Sequence, residues 1–168
     1  MVTTDQNGAV AEAATAHEAI KLGIGVYRSY ADARYDFIFD LHPRLVRVQC
    51  KWASRMGDVV VLRLYSARRT ADGLRRRIYL PEEVDAFAAY CADTQRCYFL
   101  EMADVAGRYQ VHLRLAGTRN NQSAGVHWAK EHEFAAKLGP IPGGRSSAGR
   151  ASGWHPEGQG FDPPRLHR

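Results

Sequence analysis

Two runs of β-branched and aromatic residues flank the break LHPR in RYDFIFDLHPRLVRVQCKWA, residues 34–53. Side chains alternate between faces along a strand. In the first run Tyr35, Phe37 and Phe39 share one face, and Arg34, Asp36, Ile38 and Asp40 share the other. In the second run Val46, Val48, Cys50 and Trp52 oppose Arg47, Gln49 and Lys51. Taking 41–44 as a four-residue loop sets Phe39 against Val46 and Phe37 against Val48. A slip of one residue would turn every apolar side chain to the wrong face, so this register is predicted for a hairpin. The same register sets Asp36 across from Gln49, with Lys51 two residues further along. Opposed Cβ atoms lie about 4.5–5.5 Å apart and diagonal ones about 7–8 Å. A carboxylate, an amide oxygen and an ammonium are therefore predicted within one ion's reach. Arg34 falls opposite Lys51, a like-charge pair that requires the strands to splay or an anion to sit between them. The plain alternative is a half-exposed sheet with an ordinary polar outer face.

The segment 8–23, GAVAEAATAHEAIKLG, is Ala-rich and free of Pro, which predicts a helix. Thr4, Asp5 or Asn7 are candidate caps and Gly23 a candidate stop. Glu12 shares a helical stripe with Ala9, Ala13, Ala16 and Ala19. A carboxylate among Ala side chains lies against something close, and packing on the hairpin would bring Glu12 toward Asp36. Two carboxylates and an amide oxygen are hard ligands that suit Mg²⁺. The alternative for Glu12 is a salt bridge to an arginine such as Arg34 or Arg47. His17, on the same side, reads as a core histidine.

Further strands are predicted at 58–66, 87–91, 97–102 and 109–115, a helical turn at 81–84, and a closing helix at 126–138. The pattern predicts an α/β (α+β) domain, a mostly antiparallel sheet flanked by helices, over residues 1–138. Residues 139–168 are rich in Gly, Pro, Ser and Arg and read as a flexible tail. No apolar run approaches the ~18 residues that span a bilayer, and no secretory signal is evident at the N-terminus. Cys50, Cys91 and Cys97 lack metal-ligand spacing; two could pair, but buried free thiols in a cytoplasmic protein are the favoured reading. The net charge of +5 is unevenly placed. Arg63, Arg68, Arg69, Arg75, Arg76 and Arg77 stand against Asp72 alone. Such a concentration on a slightly acidic body points to a polyanion-facing surface, or else to a solvated basic loop. No phosphate-cradling loop of the NTPase type is present, so no nucleotide cofactor is expected. His127, Glu131, His132 and Glu133 lack the spacing of a zinc site.

Glu12 in a helix, Asp36 on one strand and Gln49-x-Lys51 on the next resemble the PD-(D/E)XK nuclease superfamily. More closely, GAVAE, RYDFIF, RVQCKWA, DAFAAYCADTQRCYFL, TRNNQ and GVHWA resemble its group I intron-associated homing endonucleases, from about Gly8 to Phe134. The resemblance implies a restriction-endonuclease-like core acting on double-stranded DNA with Mg²⁺. Asp36 then matches the metal-binding Asp, Lys51 the motif's Lys and Glu12 the helix Glu, and Cys50 would lend its backbone carbonyl to the metal. Gln49 stands where the superfamily usually has Asp or Glu, as also occurs in the intron-encoded branch, and Tyr35 replaces the Pro of the first motif. Gln49 leaves the site one negative charge short of the usual pattern.

The expected activity is hydrolysis of phosphodiester bonds in a single step, with Glu12, Asp36, Gln49 and Lys51 as the catalytic set. The six arginines are expected to contact DNA, with a two-stranded ribbon built from DVVVLRLYS and RRRIYL fitting the major groove. Arg119, Asn120, Asn121 and Gln122 form a second expected contact. One active site cuts one strand, so a homo-oligomer, dimer or tetramer, is expected. The alternatives are a junction-resolving nuclease, a DNA-binding module without turnover, and a domain whose arginines are merely solvated.

Overall fold

Thr3 Oγ accepts the Gln6 N–H while Gln6 Oε1 accepts the Thr3 N–H at 2.8 Å. This reciprocal cap satisfies amides that the first helical turn cannot. It starts α1 (Thr4–Lys21) earlier than Gly8, with Thr3 as the cap in place of Thr4, Asp5 or Asn7. Gly23 ends the helix at φ +79°, a conformation that a Cβ disfavours. The buried stripe is Ala11, Thr15 and Ala19. Ala9 and Ala13, expected on it, are exposed, Glu12 sits half-buried on its flank, and His17 faces solvent instead of the core.

The computed structural model describes residues 3–117 and 125–139. Along them follow β1 (Gly25–Arg28), β2 (Phe37–Leu41), β3 (Arg44–Met56), β4 (Val59–Arg63), β5 (Tyr65–Thr70), β6 (Gly73–Ile78), β7 (Ala86–Cys91), β8 (Arg96–Glu101), α2 (Met102–Val105), β9 (Gln110–Arg114), β10 (His127–Trp128), α3 (Ala129–His132) and α4 (Phe134–Leu138). The fold is mixed α+β, a mostly antiparallel sheet flanked by helices. All but two of the strands join one eight-stranded sheet, and β5 and β6 pair only with each other.

The hairpin register is the expected one, with Phe37 against Val48 and Phe39 against Val46. Only the turn is tighter, since Leu41 and Arg44 pair and leave His42 and Pro43 to close it. The thirteen-residue β3 is the spine. It runs antiparallel to β2 up to Val48, parallel to β7 from Val48 to Ala53, and antiparallel to β4 from Ser54 to Met56. Residues 49–53 therefore have β7 on one edge and no strand on the other. β7, AFAAYC, is covered on both faces, which is why it reads as a continuous apolar run.

Packing divides into two layers. On the α1 side, Ala19, Ile24, Phe37, Phe39, Val48 and Phe99 join Phe134 of α4. On the other side, Val60, Leu62, Leu64, Phe87, Leu100 and Leu113 share one cluster with Tyr79. Fully buried Phe39 touches three rings, those of Phe37, Phe99 and Phe134, at centroid distances of 6.4, 6.4 and 6.2 Å.

Three elements depart from expectation. The strand expected at 58–66 divides at buried Leu64, so that β4 joins the main sheet and β5 leaves it. The ribbon is thus β5 with β6, closed at Ala71-Asp72, and not the longer DVVVLRLYS unit. The closing helix is broken at Glu133, whose extended backbone (φ −59°, ψ 144°) bridges to Tyr98 and whose carboxylate holds Arg96 at 2.6 Å. Residues 81–84 form a turn, with Val84 N–H donating to Leu80 O. The segment from Arg119 to Gln122 and residues 140–168 of the tail lie outside the described residues.

Phe39→Ala removes the centre of the α1-side cluster. It is expected to lower unfolding free energy by about 3–5 kcal/mol, read by chemical denaturation.

Candidate active site

The site grows from the uncovered edge of β3. Asp36 N–H still donates to Val48 O at 2.9 Å, and beyond that bond the strands part. The next β3 amide on that edge, Cys50 N–H, takes Asp36 Oδ2 as its acceptor at 2.7 Å. Gln49 Nε2 donates to the same Oδ2 at 2.5 Å and to Cys50 O at 3.1 Å. One amide nitrogen thus links a carboxylate to a backbone carbonyl. Burial holds the Asp36 carboxyl above its ordinary range, against the lowering effect of the Cys50 N–H. Glu12 pushes in the same direction as burial, while Lys51 and Arg28 oppose it.

Glu12 stands within electrostatic range of Asp36, but its direct partner is Arg28, Nη2 to Oε2 at 2.8 Å. The other two arginines weighed for it are engaged elsewhere. Arg47 grips Asp85, Nη2 to Oδ1 at 2.7 Å and Nε to Oδ2 at 2.9 Å. Arg34 turns to Glu83, Ser66 and Ile78 O, at 3.4, 3.1 and 3.5 Å. Among the described residues no three His, Cys, Asp or Glu side chains gather into a metal-binding group. The oxygens that meet are the Asp36 carboxylate and the Cys50 carbonyl, with the Gln49 amide between them.

Lys51 leaves the sheet on the face that carries Phe87 and Tyr79. Its ammonium donates to the Tyr79 hydroxyl at 2.8 Å and to Tyr65 O at 3.3 Å. Burial pushes its pKa down to about 8; Asp36 resists this and Arg34 adds to it. The like-charge opposition of Arg34 and Lys51 is met by the splay, because β2 begins only at Phe37. Both cations then settle against Tyr79, Arg34 Cζ at 4.2 Å and Lys51 Nζ at 4.5 Å from its ring centroid. Sequence reasoning did not find Tyr79, Ser66 or Arg28, since each reaches the site through tertiary packing. The Arg34–Lys51 clash was the one available hint that a further group had to stand there.

A cleft of about 440 Å³ opens beside the uncovered edge, lined by Asn7 and Gly8 of α1, by Cys50, Lys51 and Trp52, and by Arg63 of β4. The other arginines stand on the ribbon. Its register places Arg68, Arg75 and Arg77 on one face with Ser66, and Arg69 and Arg76 on the other with Tyr65. Arg68 and Arg75 are directly opposed, an arrangement that costs energy without a counter-anion. Arg75 reaches exposed Asp72 at 3.2 Å, and Arg77 pairs with Glu83. No helix among the described residues is long and apolar enough to cross a membrane.

The sequence matches the family described as PD-(D/E)XK endonuclease over residues 2–135. No curated protein matches it. Among solved structures, the bacterial homing endonuclease I-Ssp6803I is similar in fold. Its TM-score is 0.64 at 23% identity, covering 79% of this chain and 90% of that one.

Keeping a buried amine charged disfavours folding below the folded-state pKa of about 8, and the cost fades as pH rises toward the unfolded value of 10.5. Lys51→Met is therefore expected to raise the melting temperature at pH 7 by roughly 3–6 °C. Thermal scans at pH 7 to 10 should show that gain shrinking above pH 8 as the wild type sheds the proton.

Proposed function

The chain belongs to the PD-(D/E)XK endonuclease family, and from that premise we propose that it is a Mg²⁺-dependent DNA endonuclease. It hydrolyses phosphodiester bonds of double-stranded DNA in the manner of a homing endonuclease. The observation that carries the reading is the Gln49 amide nitrogen bridging Asp36 Oδ2 and Cys50 O, beside the Lys51 ammonium, on a strand edge left open. Two oxygens that one amide nitrogen already links face a common gap, and a cation that drew both in would take the place of that nitrogen.

The donor set fits a hard divalent ion. Asp36 would hold it with the Cys50 carbonyl and the Gln49 amide, once that amide turns its oxygen inward, and Glu12 would join from the flank. A bound Mg²⁺ supplies neutralisation of the phosphate charge and acidifies a coordinated water. Asp36 must be ionised for this role, so its raised pKa makes ion binding weaken early as pH falls. Lys51 presents its ammonium where it can orient the attacking water or stabilise charge on the phosphate oxygens. Water oxygen bonds to phosphorus as the bond to the leaving oxygen breaks. No cysteine takes the nucleophile's place, because all three are buried and the Cys50 thiol is pushed far up by burial.

Arg63 at the mouth of the cleft and the arginines of the ribbon suit contact with phosphates or base edges in a groove. Arg119, Asn120, Asn121 and Gln122, outside the described residues, are assigned to DNA contact by residue type. The nuclease unit is assigned to residues 1–138, with 139–168 as an appended basic tail. Each site cuts one strand, so the working form is a homo-oligomer, and the three free thiols suit the cytoplasm. One observation favours a second reading. The Gln49 amide already satisfies Asp36 and Cys50 by hydrogen bonds, as a DNA-binding module without turnover would require.

Incubation with supercoiled plasmid decides between them. The wild type is expected to nick or linearise it with Mg²⁺ and to leave it intact with chelator. Asp36→Ala and Lys51→Ala should each lower the rate by about 100-fold or more. Undiminished cleavage by both variants would defeat the assignment, and salt-sensitive binding without cleavage would favour the module.

A further inference from the structure

The partners of Lys51 belong to a different part of the molecule from the oxygens around Asp36. Its two acceptors, Tyr65 O and the Tyr79 hydroxyl, stand together at the root of the basic ribbon, where its two strands meet the rest of the chain. Tyr65 opens β5, and Tyr79 directly follows Ile78, the last residue of β6 and the partner of Tyr65. Ser66, the second residue of the ribbon, donates through Oγ to Arg77 O at 3.4 Å across the pair. Ser66 Oγ also accepts from Arg34 at 3.1 Å, and Arg34 covers the Tyr79 ring. The Phe87 ring, nearly perpendicular to it at 5.5 Å between centroids, packs against the ring from the sheet side. Tyr79 is 6% exposed, so its hydroxyl is held by packing and not free to wander. A chain of contacts therefore runs from the ribbon root through Ser66, Arg34 and Tyr79 to the Lys51 amine.

We propose that Tyr79 is the positioning residue of Lys51, and that through it the root of the basic ribbon sets the place of the amine at the scissile phosphate. This rests on the nuclease reading given above. It adds that the seat of the ribbon bears on the aim of the amine, because Lys51 donates to Tyr65, which pairs with Ile78 at the ribbon root. A loosely seated ribbon leaves the amine poorly aimed. A misplacement of about 1 Å at a reacting group is enough for a large loss of rate.

Tyr79→Phe tests this with little disturbance, because it keeps the ring under Arg34 and against Phe87 and removes only the hydroxyl. Plasmid or duplex cleavage is expected to show kcat lowered about tenfold or more, with KM for DNA within twofold. Ser66→Ala should shift kcat in the same direction by less. A readout independent of turnover is the reaction of Lys51 with acetic anhydride in the metal-free protein, mapped by mass spectrometry. Tyr79→Phe should raise labelling of Lys51 several-fold, while Lys21, Lys130 and Lys137 serve as references and do not change. Wild-type cleavage that Lys51→Ala abolishes, together with a Tyr79→Phe variant equal to the wild type in kcat and labelling, would overturn the positioning role and leave the nuclease reading standing. Full cleavage by Lys51→Ala would overturn the role of Lys51 and with it that of Tyr79, and the nuclease reading would fall as well only if Asp36→Ala also cleaved in full.

Discussion

The hydrogen bond from the Cys50 N–H to the Asp36 carboxylate closes an edge of the sheet that no strand covers. A backbone donor in that setting needs a partner, and a strand partner would have buried the site. β2 could have begun earlier along β3, but it begins at Phe37 and leaves the next β3 amide to a side chain. The substitution of a carboxylate for a strand puts Asp36 in the gap between β2 and β4. From there it faces the Cys50 carbonyl, the Gln49 amide and the Lys51 amine. α1 closes one side of the gap through its small buried residues, and the ribbon root closes the other.

The same arrangement stores electrostatic cost. Asp36 is held above its ordinary pKa and Lys51 below its own, both chiefly by burial. Two groups pushed toward neutrality within one gap are unfavourable for folding alone and are typical of sites awaiting an opposite charge. A divalent ion would relieve the first, and a phosphate the second. Contrast Arg47 and Asp85, where a bidentate grip lowers the acid and raises the base. That pair stabilises the turn before β7, and its pKa directions are those of a structural ion pair.

How much of this was legible in the residues can be judged element by element. The hairpin register followed from parity, because a one-residue slip exposes a whole apolar face. The convergence of Asp36 with Gln49 followed from the register. The clash of Arg34 with Lys51 called for a splay or an intervening anion, and the strands splay. The helix over 126–138 was not legible, since the pull of Tyr98 and Arg96 on Glu133 is made by a distant strand. The ribbon was placed one strand too early. Buried Leu64, where the chain leaves the sheet, is apolar like its neighbours and carries no turn signal.

Local alternation and spacing were enough to determine the hairpin, the side of it that bears Asp36, Gln49 and Lys51, and the basic stretch that follows. These depend on period and on nearest strand partners, which the order of residues encodes directly. The parting of β2 from β3, the ion pair that draws Glu12 to Arg28, and the seat of Lys51 on Tyr79 were decided only in three dimensions. Each depends on which distant side chain fills a space left between elements, and a space of that kind exists only after the sheet, the helix and the ribbon have packed.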